Sequence, residues 1–412
     1  MFGLARVWSQ AKRGAGRQSS DGSALKAGSD VGTFALLVAE RIRAWGVVGT
    51  VARAAAVGVV VFAFLYVLVI ANPPPEVGGN WRTTNTGSAL DDPSSFLETI
   101  LDGLTFAGLL FIVASGFSLI FGLMRVVNMA HGAFYLLGGY VAYEVQQRMT
   151  GSGFFLSGQE VNTFEWVVPW LVAMACIAVF GLGVQQLLLR WNQGQDLRQA
   201  LITIAVSIIV ADQVIAHFPR TVPLGTQKYG GNAVTISWPG WTNRLVDLHI
   251  GGVHYSLARL VVLALGVSVG IVLWLWLQKT RTGMVIRAGV DDRQMTSAIG
   301  INIQWTFAIA FIVGSALAAF GAVVSGSQSS VAQGQDGQWL LYSLVVVIIG
   351  GMGSLAGAAV GAVLYGLVFS FAVAYLPITG NDCCQQYSVV LTFALMALVL
   401  AFRPQGLFGR VA

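Results

Sequence analysis

Eighteen consecutive uncharged residues, AAAVGVVVFAFLYVLVIA at 54–71, open a series of apolar blocks that dictates what this chain can become. At 1.5 Å of rise per residue such a block extends about 27 Å, close to the ~30 Å hydrocarbon thickness of a bilayer. Nine more follow, at 99–121, 129–148, 166–189, 199–218, 256–278, 304–327, 338–350, 354–376 and 386–402. A backbone in lipid must pair its own N–H and C=O groups, so blocks of this kind are helices. The expected fold is all-α: a polytopic membrane protein of about ten transmembrane helices with both termini cytoplasmic. The block at 338–350 falls short of the ~20 residues that a full crossing needs, so a short, tilted or discontinuous helix is expected there.

Composition supports the same class. Of 412 residues, 56% are apolar and only 10% charged, against about 25% charged in soluble domains. Fifty glycines fit closely packed membrane helices. The formal charge of +5 reports topology rather than nucleic-acid binding, because Lys and Arg fall between the blocks. With the N-terminus inside and ten spans, only Arg82, Arg148, Arg220, Lys228, Arg244 and Arg259 of the 23 basic residues lie outside. That bias agrees with the positive-inside rule, which an odd number of spans would weaken.

The chain divides into three stretches. Residues 1–50 are a basic cytoplasmic tail, partly disordered, in which FALLVAERIRA at 34–44 can form a short amphipathic surface helix. Residues 51–98 hold an extra N-terminal transmembrane helix and a Pro-rich external linker, NPPPE stopping the helix. Val69 and Ala71 loosely match a signal-peptidase site, but the basic head is far longer than a secretory signal carries, which favours a retained helix. Residues 99–412 form the core. In its longest outer loop, AVTISW and DLHIGGVHY flank PGWTNR and predict a small hairpin. The segments FIVASGFSLIFG at 111 and FIVGSALAAFGA at 311 share a pattern of Gly, Ser and aromatics that points to two related halves.

Few residues carry chemistry. No His pair has metal-binding spacing, no nucleophile, base and acid share a known context, and no phosphate loop occurs. No catalytic or metal site is expected, and any ATP is bound by another chain. Cys176, Cys383 and Cys384 match neither a zinc spacing nor a disulfide framework. Asp212 and Asp102 stand near helix ends, where the interface accounts for them. The loop at 279–303 is longer than a helix connection requires. Its Arg287, Asp291, Asp292, Arg293, Ala298 and Gly300 predict a short surface helix ending near Gly300, and a docking element for a soluble partner. Gly353, Gly357 and Gly361 line one helix face and predict close helix packing, within the chain or between subunits.

GLMRVVNMAHGAFYLLGGY at 122–140, RTGMVIRAGVDDRQMTSAIGIN at 281–302, VVVIIGGMGSLAGAAVGA at 345–362 and FRPQGLFG at 402–409 together resemble the membrane permease subunit of branched-chain amino-acid ABC importers. The resemblance covers about 99–410, and NMAHG at 128–132 is similar to the first of the two permease types. It implies a transport subunit, not an enzyme, in the bacterial inner membrane. The implied partners are a second related permease, two cytoplasmic ATPase subunits that bind ATP and Mg, and an external solute-binding protein. The 281–302 loop would be the coupling element. Relatives also carry urea, short amides and small carboxylates, and the residues alone leave an ion-gradient-driven transporter or channel open. Ser115, Ser118, Asn128, His131, Thr203, Ser207, Ser315, Ser325 and Gln328 are candidates for a mildly polar path. Against each Ser and Thr stands the alternative that it bonds its own helix backbone. Residues 1–98 lie outside the family's usual core.

Overall fold

The computed structural model describes residues 93–150, 161–217, 234–247, 254–375 and 384–409. The tail, the 54–71 block and its linker lie outside the described residues. In chain order the elements are α1 (Pro93–Met124), α2 (His131–Thr150), α3 (Thr163–Val184), α4 (Asp196–His217), β1 (Leu245–Asp247), β2 (His254–Ser256), α5 (Leu257–Lys279), α6 (Arg281–Asp291), α7 (Arg293–Ala298), α8 (Ile303–Gln328), α9 (Gln335–Gly350), α10 (Leu355–Tyr375) and α11 (Cys384–Phe402). A π turn, Gln185–Leu189, and a 3-10 turn, Arg190–Asn192, prolong α3.

Among the described residues, six helical stretches are long and apolar enough to cross a membrane: Phe96–Met124, Thr163–Asn192, Asp196–His217, Leu257–Lys279, Ile303–Gln328 and Leu355–Ala374. The chain is thus a multi-pass membrane protein by length and composition. Apart from the short α6 and α7, three further described helices fall below that mark. Helix α2 carries Glu144, Gln146, Gln147 and Arg148, α11 has a shorter apolar stretch at Ser388–Phe402, and α9 has 16 residues, a rise of only about 24 Å.

Helices α1 and α8 form the centre. They cross antiparallel, because Gly116 meets Leu317 and Gly314 while Gly321 meets Val113 further out. An added Cβ on Gly314 would sit 2.7 Å from the Gly116 carbonyl oxygen, so only paired glycines let these backbones touch. Around this crossing the contacts repeat: α1 packs on α9 and α10, and α8 packs on α2 and α3. Likewise α2 packs on α3 and α9 on α10. The crossings fall at matching places, since Gly116 faces Gly314 and Gly132 faces Asp336. The groups α1–α4 and α8–α11 thus exchange contacts reciprocally across the α1–α8 crossing.

The remaining elements close the ends. Asp102 of α1 accepts from Tyr255 Oη at 2.8 Å and pairs with Arg259 of α5, while burial pushes the Tyr255 phenol up. Both charged partners are more than a third exposed, so Asp102→Asn is expected to cost no more than about 1 kcal/mol, read as a small fall in melting temperature. The outer hairpin differs from expectation. β1 and β2 pair with Val246 opposite Tyr255, both strands within 245–256, whereas Val234 pairs with Val331 and Ile236 N–H donates to the Gly326 carbonyl. The AVTISW segment thus finds its partner beyond α8, because the apolar Ile236 and Val331 meet over Gly326.

Two of the sequence motifs are one structural unit. Leu407 and Phe408 donate their N–H groups to the carbonyls of Ile349 and Gly350, at 2.9 and 2.8 Å. Gly351 (φ 106°), Gly353 (φ 81°) and Gly406 (φ 77°) supply the left-handed turns that this docking needs. Gly357 and Gly361 face Gly350 and Val346 of α9, and Gly353 faces Gly122 of α1. Of the three glycines expected on one helix face, only Gly357 and Gly361 lie on α10, where they pack on α9, whereas Gly353 precedes the helix in a left-handed turn because the chain reverses there between α9 and α10.

Candidate functional site

The loop between α5 and α8 folds as two helices rather than the single one expected. Thr280 starts α6 by accepting the Gly283 N–H through Oγ1 at 3.1 Å. Gly283 lies so close to Leu277 that α6 turns straight back under α5. Ile286 is buried, Gly289 rests on Leu123 and Val290 lies beside Gly122. One face of α6 is therefore seated on the ends of α1 and α5, while Met284, Arg287 and Ala288 stay exposed.

Asp292 makes the break. Its backbone is extended, and its carboxylate accepts from Gln294 N–H at 2.8 Å and Met295 N–H at 3.0 Å, capping α7. Such a cap contributes about 1 kcal/mol. Asp292→Ala is expected to lower local stability by that amount, read as faster hydrogen exchange across 293–299. Gly300 (φ 87°) ends α7, and Asn302 caps α8 by accepting from Gln304 N–H at 3.0 Å. Between those fixed ends, Met295 (61% exposed) and Ile299 (72%) stand out from the bundle, with Ala298 and Gly300 also exposed. Arg287 is held by Gln278 at 2.7 Å, and Asp291 is exposed. Arg293 opens α7, but its side chain lies outside the described residues. An apolar knob on a short, capped and seated helix can transmit a push with little loss.

The path candidates scatter. Ser115, Thr203 and Ser315 each donate to a carbonyl of their own helix: Ile112, Ala200 and Ile312. Ser118 and Ser325 are buried, Ser207 is half-buried and Gln328 is exposed. His131 is wholly buried; its Nε2 lies 3.0 Å from the Val113 carbonyl, and its ring meets Phe117 edge-on. A carbonyl only accepts, so Nε2 carries the proton and ties the start of α2 to α1. Asn128 and Thr203 do come together: Met129 N–H donates to Thr203 Oγ1 at 3.2 Å, and both side chains line one small cavity. Arg125, exposed, occupies a left-handed turn (φ 54°) where Gly or Asn is usual. Gln185 and Gln199, buried beside this region, were not singled out in the sequence. Amide side chains inside an apolar block were the available signal.

The described core matches a family model. The family described as the branched-chain amino acid transport system, permease component, matches residues 99–400. Among curated relatives, the high-affinity branched-chain amino acid transport system permease protein BraD of Pseudomonas aeruginosa is 26% identical, over 76% of this chain and 96% of its own length. LivH of Escherichia coli is 25% identical over 76% of this chain and 96% of its own length. The probable permease LivH of Methanocaldococcus jannaschii is 23% identical over 76% and 92%. Among solved structures, PsaBC from Streptococcus pneumoniae in complex with Fab superposes with a TM-score of 0.42 at 9% identity, covering 78% of this chain and 98% of that one. With nearly three quarters of its length inside the family match, and with the motifs that carry it packed into one interlocked core, this chain belongs to the branched-chain amino acid transport permease family.

Proposed function

We propose that this chain is the permease subunit of an ATP-driven importer that moves branched-chain, hydrophobic amino acids across the bacterial inner membrane. The family match and the printed names of its relatives support the solute class. The observation that carries the mechanism is the seated α6–α7 element with Met295 and Ile299 exposed. It has the form of a coupling surface for an ATPase: fixed to α1 and α5 on one side, apolar and accessible on the other.

In this reading two cytoplasmic ATPase subunits hold ATP and Mg, a second related permease completes the membrane assembly, and an external solute-binding protein delivers the amino acid. Nine described helices and the 54–71 block give ten spans with both termini cytoplasmic. Arg125, Arg190, Arg198, Lys279, Arg281, Arg287, Arg293 and Arg403 then share the α6–α7 side, in line with the positive-inside bias. Closure of the ATPases presses on α7, and α6 passes the push to α1, biasing an assembly with two states.

The test is co-purification followed by reconstitution in vesicles. Stoichiometric ATPase subunits and ATP-dependent leucine uptake are expected. Uptake of urea or short amides in place of leucine would replace the solute class. Full transport without the ATPases would replace the mechanism with an ion-gradient one.

A further inference from the structure

Helices α5 and α10 each pack on α1 but scarcely on each other, and the space between them is a groove of about 350 Å³. Its floor is α1, through the buried Ala107 and Phe111. Its walls are Val267 and Trp274 of α5 and Ala359 and Val363 of α10. Every lining residue is apolar, and Val267, Trp274 and Val363 stand exposed along the rim, so the groove opens sideways. Along α5 it runs from Leu263 to Trp274, a rise of about 16 Å. That is roughly half of the ~30 Å hydrocarbon thickness, the share of one leaflet.

Any membrane span meets lipid, so the lining alone marks no site. The foot of the groove is what sets it apart. Helical spacing continues the lining face of α5 from Gly270 and Trp274 to Gln278. There Gln278 Oε1 accepts from Arg287 Nη1 at 2.7 Å. Helix α6 reaches this place because Gly283 lies on Leu277 of α5 and Val290 beside Gly122 of α1, which itself meets Gly353 just ahead of α10. It therefore crosses under the helices that form the groove. Gln278 is neutral, so it orients the guanidinium without cancelling its charge. Arg287 is exposed, and no ion pair among the described residues engages it. An oriented cation where an apolar groove leaves the hydrocarbon complements an acyl chain that ends in a phosphate.

We infer that the α1–α5–α10 groove is a binding site for an anionic phospholipid, with one acyl chain between α5 and α10 and the phosphate on Arg287. A transmembrane helix in the same groove, from a partner or a second copy, fills the apolar part but brings nothing for Arg287. Trp274, 54% exposed and one turn above Gln278, stands where chain and head group join, as aromatic side chains do at membrane interfaces. The inference needs only that the chain is embedded in a membrane, and it stands apart from the solute and the ATPases.

The test is native mass spectrometry of the full chain released from nanodiscs that hold phosphatidylcholine and phosphatidylglycerol in equal parts. The parent is expected to retain phosphatidylglycerol over phosphatidylcholine by about fivefold, which is the roughly 1 kcal/mol that one basic side chain near the surface contributes. Arg287→Gln is expected to bring that ratio close to one, while Arg198→Gln, which removes an exposed charge from α4 outside the groove, leaves it unchanged. Ala359→Phe fills the groove and is expected to lower retention of both lipids; Val267→Trp on the exposed rim repeats this should Ala359→Phe melt early. Equal retention of the two lipids by the parent, a ratio that survives Arg287→Gln, or one that falls as far with Arg198→Gln overturns the site. Unchanged retention in both groove-filling variants overturns it as well, and a change of oligomeric mass with the lipid kept reassigns the groove to a helix partner.

Discussion

Gly132→Val is expected to leave little folded permease to purify. At this point the start of α2 meets the start of α9, and an added Cβ would overlap the Asp336 carbonyl oxygen. The obstacle is backbone, so no rotamer change relieves it, and the two helices must part. Overpacking a core costs about 1–3 kcal/mol even where side chains can shift. Here Gly138 and Gly139 of the same helix lie against Ala319 and Val331, so displacement spreads to α8 and to the segment that follows it. Total stabilities are only about 5–15 kcal/mol, so a loss above that range's lower end is expected to abolish the monodisperse peak in detergent. Gly337→Ala in α9, where an added Cβ has open space, is the matched control. It should melt at or slightly above the parent temperature, since Ala in a helix is favoured over Gly by roughly 0.5–1 kcal/mol. A Gly132→Val protein that melts with the parent would show that the α2–α9 contact is loose.

The second large effect is expected at the coupling surface. In the assembled importer, Met295→Asp with Ile299→Asp should lower ATPase affinity and leucine uptake together by roughly a hundredfold, while the isolated permease stays folded. Fully burying two side chains of this size is worth at least about 3 kcal/mol, and each 1.4 kcal/mol is about tenfold. Both residues stand in solvent in the isolated chain, so the permease itself loses little. Size-exclusion of the variant with its ATPases, beside its own melting curve, separates the two. Normal co-elution with normal uptake would remove α7 from the coupling path.

Much of the fold is legible in the sequence because membrane helices announce themselves by composition. The blocks at 99–121, 166–189, 256–278 and 304–327 lie within α1, α3 with its extension, α5 (one residue outside at its start) and α8. The signals at 280–302 are also local: Thr280, Asp292 and Asn302 each cap a helix through their own side chain. What was missed there, the break at Asp292, turns on a single residue acting as the end of one helix and the cap of the next. The candidate path was far less legible. A serine that bonds its own helix and one that faces a ligand look alike in a sequence, and Ser115 and Ser315 proved to be the former. Gln185 and Gln199 are buried, and whether an amide in an apolar block ends up inside depends on neighbours distant in sequence.

The sequence by itself determined that this chain crosses a membrane many times, where its helices run, and which family it joins, since each follows from hydrophobic length, local capping or a motif. Only the tertiary structure decided which helices form the centre. Mean hydropathy is 2.2 for α1 and 2.4 for α8, yet 2.6 for α5 and 1.9 for α4, while the buried shares are 83% and 78% against 17% and 22%. Lipid and protein interior are equally apolar, so hydrophobicity cannot choose between them. Packing chooses instead, and it is set by glycines such as Gly116 and Gly314 that must find each other across some 200 residues of chain.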